Sequence, residues 1–187
     1  MHRSIAFAAL ALLVVQPSMA RAQSKGDAGM AMTLTSPGFS NQGDMPSDLT
    51  CEGKNISPAL AWSGAPTGTK SFALIVDDPD APDPKAPKMT WVHWLLYNLP
   101  PSSKSLAENV QKDALPKGAL EGVSDFKRTG WGGPCPPIGK HRYFFKLYAL
   151  DTRTLGLPAG VKAGDLERAL QGHILAEARY TGRFERR

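Results

Sequence analysis

Apolar residues occur along this chain in short blocks, and segments rich in proline, glycine, asparagine and serine separate them. The blocks at 71–76 (SFALIV) and 143–150 (YFFKLYAL) have the length of a β-strand. The continuous apolar run at 71–76 predicts a strand that is buried on both faces. Other blocks predict four further strands, at 32–36, 60–62, 91–98 and 179–184.

From Asp165 onward the apolar residues recur at helical spacing, and this segment is therefore predicted to form a helix. Gly172 weakens this helix and is expected to end it early. The apolar-face positions at helical spacing are Leu166, Ala169, Leu170, His173 and Ile174, of which His173 is interpreted as structural. The chain is therefore predicted to be a mostly antiparallel, mainly β domain with one or two short helices.

The first 22 residues have the organisation of a secretory signal. Arg3 supplies a positive start, residues 5–15 are apolar, and Ala20-Arg21-Ala22 forms an Ala-x-Ala cleavage site. The apolar run has 11 residues, too few to span a bilayer as a helix. We expect cleavage after Ala22, with Ala20 as the alternative site. The mature protein is then exported to the periplasm or secreted, and it has no transmembrane segment.

Residues 23–31 are polar and are expected to form a flexible lead-in to a single domain at 32–187. Cleavage after Ala22 leaves 165 of the 187 residues, enough for one domain with its own core. The formal net charge falls from +5 to +3, because Arg3 and Arg21 leave with the signal. Apart from the tail at 183–187, the basic residues are scattered, and we therefore expect no nucleic-acid partner.

Cys51 and Cys135 are the two cysteines of the chain. In an exported protein a disulfide is the expected state, and both residues lie in segments rich in proline and glycine. The bond would close a loop of about 84 residues, worth about 4 kcal/mol in the chain-entropy description. Two unrelated buried thiols are the alternative.

The stretch Gly133–Tyr143 places a stiff Pro/Gly loop directly before a predicted strand. His141 and Tyr143 are two residues apart, so their side chains project from the same face of an extended strand. Arg142 points to the other face. Two donor groups on one face beside a rigid loop are suited to a small anion pocket.

Two further segments carry polar side chains that could complete such a pocket. Asp78 and Asp80 follow the buried strand at 71–76, where they could equally cap an ordinary turn. His93 lies in an apolar strand, where a histidine is more often a core residue than a ligand. Once buried it needs a polar partner, which a carboxylate or a phenol of the other segments could supply. Trp91, Trp94 and Tyr97 are interpreted as packing residues.

These motifs together resemble the phosphatidylethanolamine-binding protein family, and most closely its bacterial branch of Raf-kinase-inhibitor-like proteins. The resemblance covers about residues 32–184. The motifs that carry it are Asp78-Pro79-Asp80-Ala81-Pro82, Trp91-x-His93-Trp94, Gly133-Pro134, His141-Arg142-Tyr143 and the segment Asn55–Trp62.

The resemblance implies a central antiparallel β-sheet packed on a second, smaller sheet, with a few short peripheral helices. It also implies a pocket for phosphate, acetate or a phosphoryl-ethanolamine head group. The pocket residues by motif position are Asp78, Asp80, His93, Gly133, Pro134, His141 and Tyr143. Asp78 would be the inner acid and Tyr143 a hydroxyl donor. The same likeness brings the loops of Cys51 and Cys135 together.

We therefore expect an exported protein that binds an anion or a phospholipid head group, without a cofactor, metal or catalytic residues. It could also regulate or inhibit another protein. Asp78 or Asp80 should orient a histidine, and anion binding should strengthen as the pH falls.

Two alternatives remain open at this point. One is an enzyme that uses the Asp/His pocket for metal-dependent or acid–base chemistry. The other is a module similar to a protease inhibitor, which would use the Asp83–Lys88 loop or the basic tail.

Overall fold

Residues 31–187 are described by the structure, a computed structural model, and they form two β-sheets. The predicted signal sequence and residues 23–30 of the predicted lead-in lie outside this range. Within residues 31–187 the strands are β1 (Thr33–Thr35), β2 (Gly43–Asp44), β3 (Leu60–Ser63), β4 (Ser71–Asp78), β5 (Trp91–Leu99), β6 (Ser105–Leu106), β7 (Leu120–Glu121), β8 (Lys140–Leu150) and β9 (Ile174–Glu185). The helices are α1 (Ala163–Leu170) and two 3-10 turns, Ser47–Leu49 and Lys112–Ala114.

The larger sheet has six strands in the order β2-β9-β8-β4-β5-β7, and the smaller has three in the order β1-β3-β6. All neighbours pair antiparallel except β2 and β9, which are parallel. The main apolar core includes Leu34 and Trp62 of the smaller sheet together with Phe72 and Phe145 of the larger. The mainly β, two-sheet fold class predicted from the sequence is thus confirmed.

The opposite face of the larger sheet is partly covered by α1. Leu166 and Leu170 of this helix join Ile75 and Tyr97 in a second apolar cluster. The helix ends at Leu170, and Gly172 follows with a φ of +81°, a left-handed conformation that suits glycine. The helix thus ends early, as Gly172 led us to expect, and His173 and Ile174 lie beyond it. Across residues 31–187, no helix combines the length and the apolar character that crossing a bilayer requires.

Several strands, among them β4 and β9, are longer than the apolar pattern predicts. β4 continues through Asp77 and Asp78, which the sequence placed in the loop after the strand. Both aspartates remain in the strand because β8 supplies their partners, Lys146 for Asp77 and His141 for Asp78. β9 runs over twelve residues rather than six, since it pairs with nearly the whole of β8.

The disulfide between Cys51 and Cys135 is present, as the sequence predicted, with the Cα atoms 5.4 Å apart. The alternative of two buried free thiols is wrong, because both cysteines are exposed and bonded to each other. Beside the bond, the Cys51 N–H donates to the Pro134 carbonyl at 3.0 Å. The Trp131 indole N–H likewise donates to the Leu49 carbonyl at 3.1 Å. The loop at 131–137 is thus anchored to the segment at 49–51.

Candidate functional site

A cavity of about 370 Å³ opens beside the end of β4 and the starts of β5 and β8. Its walls are mostly apolar, and its ionisable side chains are those of three buried residues. The apolar side chains include Met89, Trp91, Phe126, Pro136 and Pro137; the ionisable ones are Asp78, His93 and His141. An apolar cavity with a few convergent polar groups is the usual form of a small-ligand site.

Asp78 and His141 form a buried pair. The Nδ1 atom of His141 lies 2.7 Å from Oδ2 of Asp78, and the two residues are 0% and 4% exposed. The Nε2 atom of His141 lies 3.0 Å from the Ile138 carbonyl, which accepts only, so Nε2 carries a proton. Burial raises the pKa of Asp78, and the hydrogen bond with His141 opposes that rise. The Asp78–His141 hydrogen bond therefore fixes the orientation of the imidazole at the inner side of the cavity.

Asp80 has a different partner. Its carboxylate accepts two hydrogen bonds from the Arg142 guanidinium, at 2.9 and 2.6 Å, and one from the Arg142 backbone N–H at 2.9 Å. The side-chain bonds with Arg142 hold the pKa of Asp80 below its usual range. The expectation that one of the two aspartates orients a histidine is met by Asp78. Asp80 instead fixes the loop after β4 to the outer face of β8.

His93 reaches the site through an irregularity in β5. The pairing of β4 with β5 passes from Val76–Trp94 to Asp77–Val92, so His93 is an extra residue in a β-bulge. A bulge changes the direction of a side chain. The His93 ring therefore packs among aromatic rings, with centroids 5.1 Å from Tyr143, 5.4 Å from Phe126 and 6.4 Å from Trp131.

The protonation of His93 follows from its surroundings. Nδ1 lies 2.5 Å from the Gly132 carbonyl, so Nδ1 is the protonated nitrogen. Burial lowers the pKa of His93 to about 4. At neutral pH the ring is therefore uncharged, and Nε2 presents a lone pair that can accept a hydrogen bond.

Tyr143 lies behind the two histidines rather than in the cavity lining. As predicted, it shares the buried face of β8 with His141, while Arg142 is on the exposed face. Burial, together with the negative charges of Asp78 and Asp80, raises the pKa of Tyr143. Among residues 31–187 its hydroxyl has no hydrogen-bond partner, and the same is true of His93 Nε2.

Gly133 and Pro134 support the cavity wall from behind, while Cys135, Pro136 and Pro137 line it. The Gly133 N–H donates to Asn55 Oδ1 at 2.8 Å. A Cβ at this position would lie 2.5 Å from Asn55 Oδ1 and from the Leu49 carbonyl, so a larger residue does not fit. Of the seven predicted site residues, the structure brings Asp78, His93 and His141 to the cavity. Tyr143, Asp80, Gly133 and Pro134 lie in the layer around them.

The sequence did not identify the apolar side of the cavity. Trp91 was interpreted as a packing residue, yet it lines the cavity and stacks edge-on against Phe126, with centroids 5.5 Å apart. Phe126 lies in an irregular segment whose pattern carries no sign of burial. Met89 is 52% exposed, and the local sequence shows nothing that would assign it to a site. Within residues 31–187, no group of three or more His, Cys, Asp or Glu side chains is arranged to hold a metal ion.

The fold and the cavity define a two-sheet β protein with a pocket at one end of its larger sheet and buried ionisable groups at the pocket's inner side. Residues 35–185 match the family described as phosphatidylethanolamine-binding protein. The chain belongs to this family, as the motifs in its sequence indicated.

Relatives in bacteria and archaea share most of the chain. The UPF0098 protein of Methanothermobacter thermautotrophicus is 47% identical over 156 residues, covering 83% of this chain and 99% of that protein. The structure of a phosphatidylethanolamine-binding protein (PEBP) homolog from Chlamydia trachomatis matches with a TM-score of 0.76 at 41% identity, over 84% of this chain and 99% of that one. YbcL of Escherichia coli, described as a member of the mammalian PEBP family, has the same TM-score at 34% identity, over 83% and 99%. The family description and these names mention no enzymatic activity.

Proposed function

We propose that this protein is a non-enzymatic binding protein that holds a small ligand by a phosphoryl or phospholipid head group. One observation carries the proposal: a mostly apolar cavity of about 370 Å³ meets three buried ionisable side chains, those of Asp78, His93 and His141. The apolar walls suit the carbon skeleton of the ligand, and the ionisable groups suit its polar end.

The hydrogen-bonding groups fit a head group that contains both donors and acceptors. An ammonium group can donate to Asp78 or to the Nε2 lone pair of His93. Phosphoryl oxygens can accept from the Tyr143 hydroxyl, and from His93 Nε2 once that atom is protonated. His93 Nε2 and the Tyr143 hydroxyl are buried without partners among the described residues, and an unsatisfied polar group is costly in a protein interior. A ligand that displaces the surrounding side chains slightly and reaches these atoms would recover that free energy.

The pH dependence of binding follows from His93. Because its pKa is lowered to about 4, His93 offers phosphate a lone pair rather than a donor at neutral pH. Protonation supplies a second N–H and a positive charge, so a bound anion and a bound proton favour each other. Phosphate binding should therefore strengthen as the pH falls from 7 towards 4.

The proposed place of action is outside the cytoplasm. The secretory signal predicted at residues 1–22 supports this, and so does the disulfide between Cys51 and Cys135, since disulfides persist in oxidising compartments. Fractionation of cells that make the full chain, with N-terminal sequencing of the product, tests it. A product that begins after Ala22 or Ala20 outside the cytoplasm is expected, and an unprocessed cytoplasmic protein would overturn it.

Titration by NMR tests the ligand proposal. Phosphoethanolamine, phosphate and acetate are added to the mature protein, and we expect signals of His93, Trp91 and Tyr143 to shift. His93→Gln and His141→Ala should weaken binding. His173→Asn is the matched control, because His173 is exposed and pairs with Asp151 away from the cavity. If no probe shifts these signals, or if His173→Asn weakens binding as much, the proposal fails.

A further inference from the structure

A second cavity, of about 360 Å³, lies between the segments at 54–57, 109–112 and 128–131. None of its lining residues lines the first cavity. Its lining is rich in polar side chains, in contrast to the apolar walls of the first. The two cavities are nevertheless neighbours, because Trp131 lines the second and its ring centroid is 6.4 Å from that of His93.

Glu121 of β7 is the acidic residue in the lining of this second cavity, and it is only 7% exposed. Its Oε1 atom accepts a hydrogen bond from the Trp94 indole N–H at 3.2 Å. In the part of the chain that the structure describes, Oε2 accepts no hydrogen bond, and no basic side chain lies within 4 Å of the carboxylate. Oε2 is not among the fully buried atoms that lack a partner, so this oxygen faces the open space of the cavity, where a cationic group of a ligand can meet it.

Basic side chains occupy the exposed part of the same cavity. Lys112 and Arg128 are exposed and form no salt bridge with any acid among residues 31–187. Lys54 also lines the cavity, but its ammonium is 2.7 Å from Asp48. The cavity therefore combines a buried negative group with positive groups nearer to solvent.

We propose that this cavity is a second binding site, for a small zwitterion whose ammonium group meets Glu121 and whose carboxylate faces Arg128 and Lys112. A simple anion would be repelled by Glu121, and a simple cation by the basic side chains. A molecule that carries both charges can place its positive group at Glu121 and its negative group at the basic side chains. The amide side chains of Asn55 and Asn109 can complete its hydrogen bonds.

The indole N–H signals of Trp94 and Trp131 report directly on this site. The Trp94 N–H is bound to Glu121, and the Trp131 ring lines the cavity. The probes are three zwitterions of increasing length (glycine, γ-aminobutyrate and ε-aminocaproate), with n-butylamine and butyrate as single-charge controls. At least one zwitterion should shift both indole signals and bind about tenfold more tightly than either control.

Two variants examine the assigned contacts. Glu121→Gln keeps the size of the side chain and an acceptor for Trp94, and it should weaken binding of the best zwitterion by about tenfold or more. Arg128→Gln changes an exposed residue, so its effect can be measured even if Glu121→Gln does not fold; it should weaken binding as well. Glu167→Gln, an exposed acid on α1 outside the cavity, is the matched control and should bind normally.

Binding of the zwitterion at the second cavity does not depend on the function proposed for the first cavity. His93→Gln should bind the zwitterion as the unchanged protein does, even though its response to phosphoethanolamine at the first cavity is weakened. The second site is excluded if no zwitterion shifts the indole signals, if the single-charge controls bind as tightly, or if Arg128→Gln binds the zwitterion unchanged.

Discussion

The imidazole of His93 stands edge-on to the phenol ring of Tyr143, with the ring centroids 5.1 Å apart and the planes at 86°. The Nε2 atom of the one and the hydroxyl of the other are buried, and neither has a hydrogen-bond partner among the described residues. Each unsatisfied polar atom costs about 1–3 kcal/mol of stability. A site that tolerates this in the free protein is suited to a ligand that makes the missing bonds.

Tyr143→Phe should leave the free protein as stable as before or stabilise it by about 1 kcal/mol, because it removes a buried hydroxyl without a partner. The same change should weaken binding of phosphoethanolamine. Urea denaturation measures the first effect and NMR titration the second. Tyr180→Phe is the matched control: its buried hydroxyl donates to the Phe39 carbonyl, so this change should destabilise by about 1 kcal/mol. Equal destabilisation by the two changes would contradict the account of Tyr143.

His93 should make the free energy of unfolding depend on pH. Its pKa is about 4 when folded, against 6.5 in its ordinary state, so the unfolded chain binds the proton first as the pH falls. The free energy of unfolding that His93 contributes is present above pH 6.5 and declines by about 3 kcal/mol at pH 4. His93→Gln should lack this decline. Denaturation of both proteins over this range measures it, and parallel curves would show that His93 is not the group responsible.

Loss of the disulfide should destabilise the protein by about 4 kcal/mol, because the bond closes a long loop in the unfolded chain. The double change Cys51→Ser with Cys135→Ser tests this without a reductant, and both sites are exposed enough to accept serine. Since Cys135 lines the first cavity, phosphoethanolamine binding should weaken too. A double variant with unchanged stability and unchanged binding would mean that the loop contacts alone hold the cavity wall.

Gly133→Ala should destabilise by about 2 kcal/mol through overpacking, because the added methyl group would meet the Leu49 carbonyl and Asn55 Oδ1 at 2.5 Å. Gly38→Ala is the comparison, since its methyl group would be 3.6 Å from Ser36 Oγ, an ordinary contact. Thermal denaturation of the two variants measures the difference. If both behave alike, the close approach at Gly133 does not limit the loop.

Much of the fold follows from local pattern. The apolar run at 71–76 predicted a buried strand, and β4 is buried throughout. The two-residue spacing of His141 and Tyr143 predicted a shared face, which the strand geometry imposes on any residues so placed. The disulfide also followed from composition, because the chain has two cysteines and a predicted signal for export.

The direction of the His93 side chain did not follow from local pattern. Strict alternation along β5 would have pointed His93 away from Trp94, whereas the bulge lets both rings approach Trp131. A bulge is a property of two paired strands, so it becomes visible only once the register of β4 and β5 is known.

By itself the sequence determined six of the nine strands in the described residues, the family and the residues able to carry charge or hydrogen bonds, because these depend on periodicity and side-chain chemistry. The two-residue strands β2, β6 and β7 are too short to show a periodicity. The tertiary structure alone decided which charges meet. It paired Asp78 with His141 but Asp80 with Arg142, and it left Glu121 buried without a cation. Such pairings join residues more than sixty positions apart in the chain, and only the packing of the sheets brings them within a hydrogen bond's length.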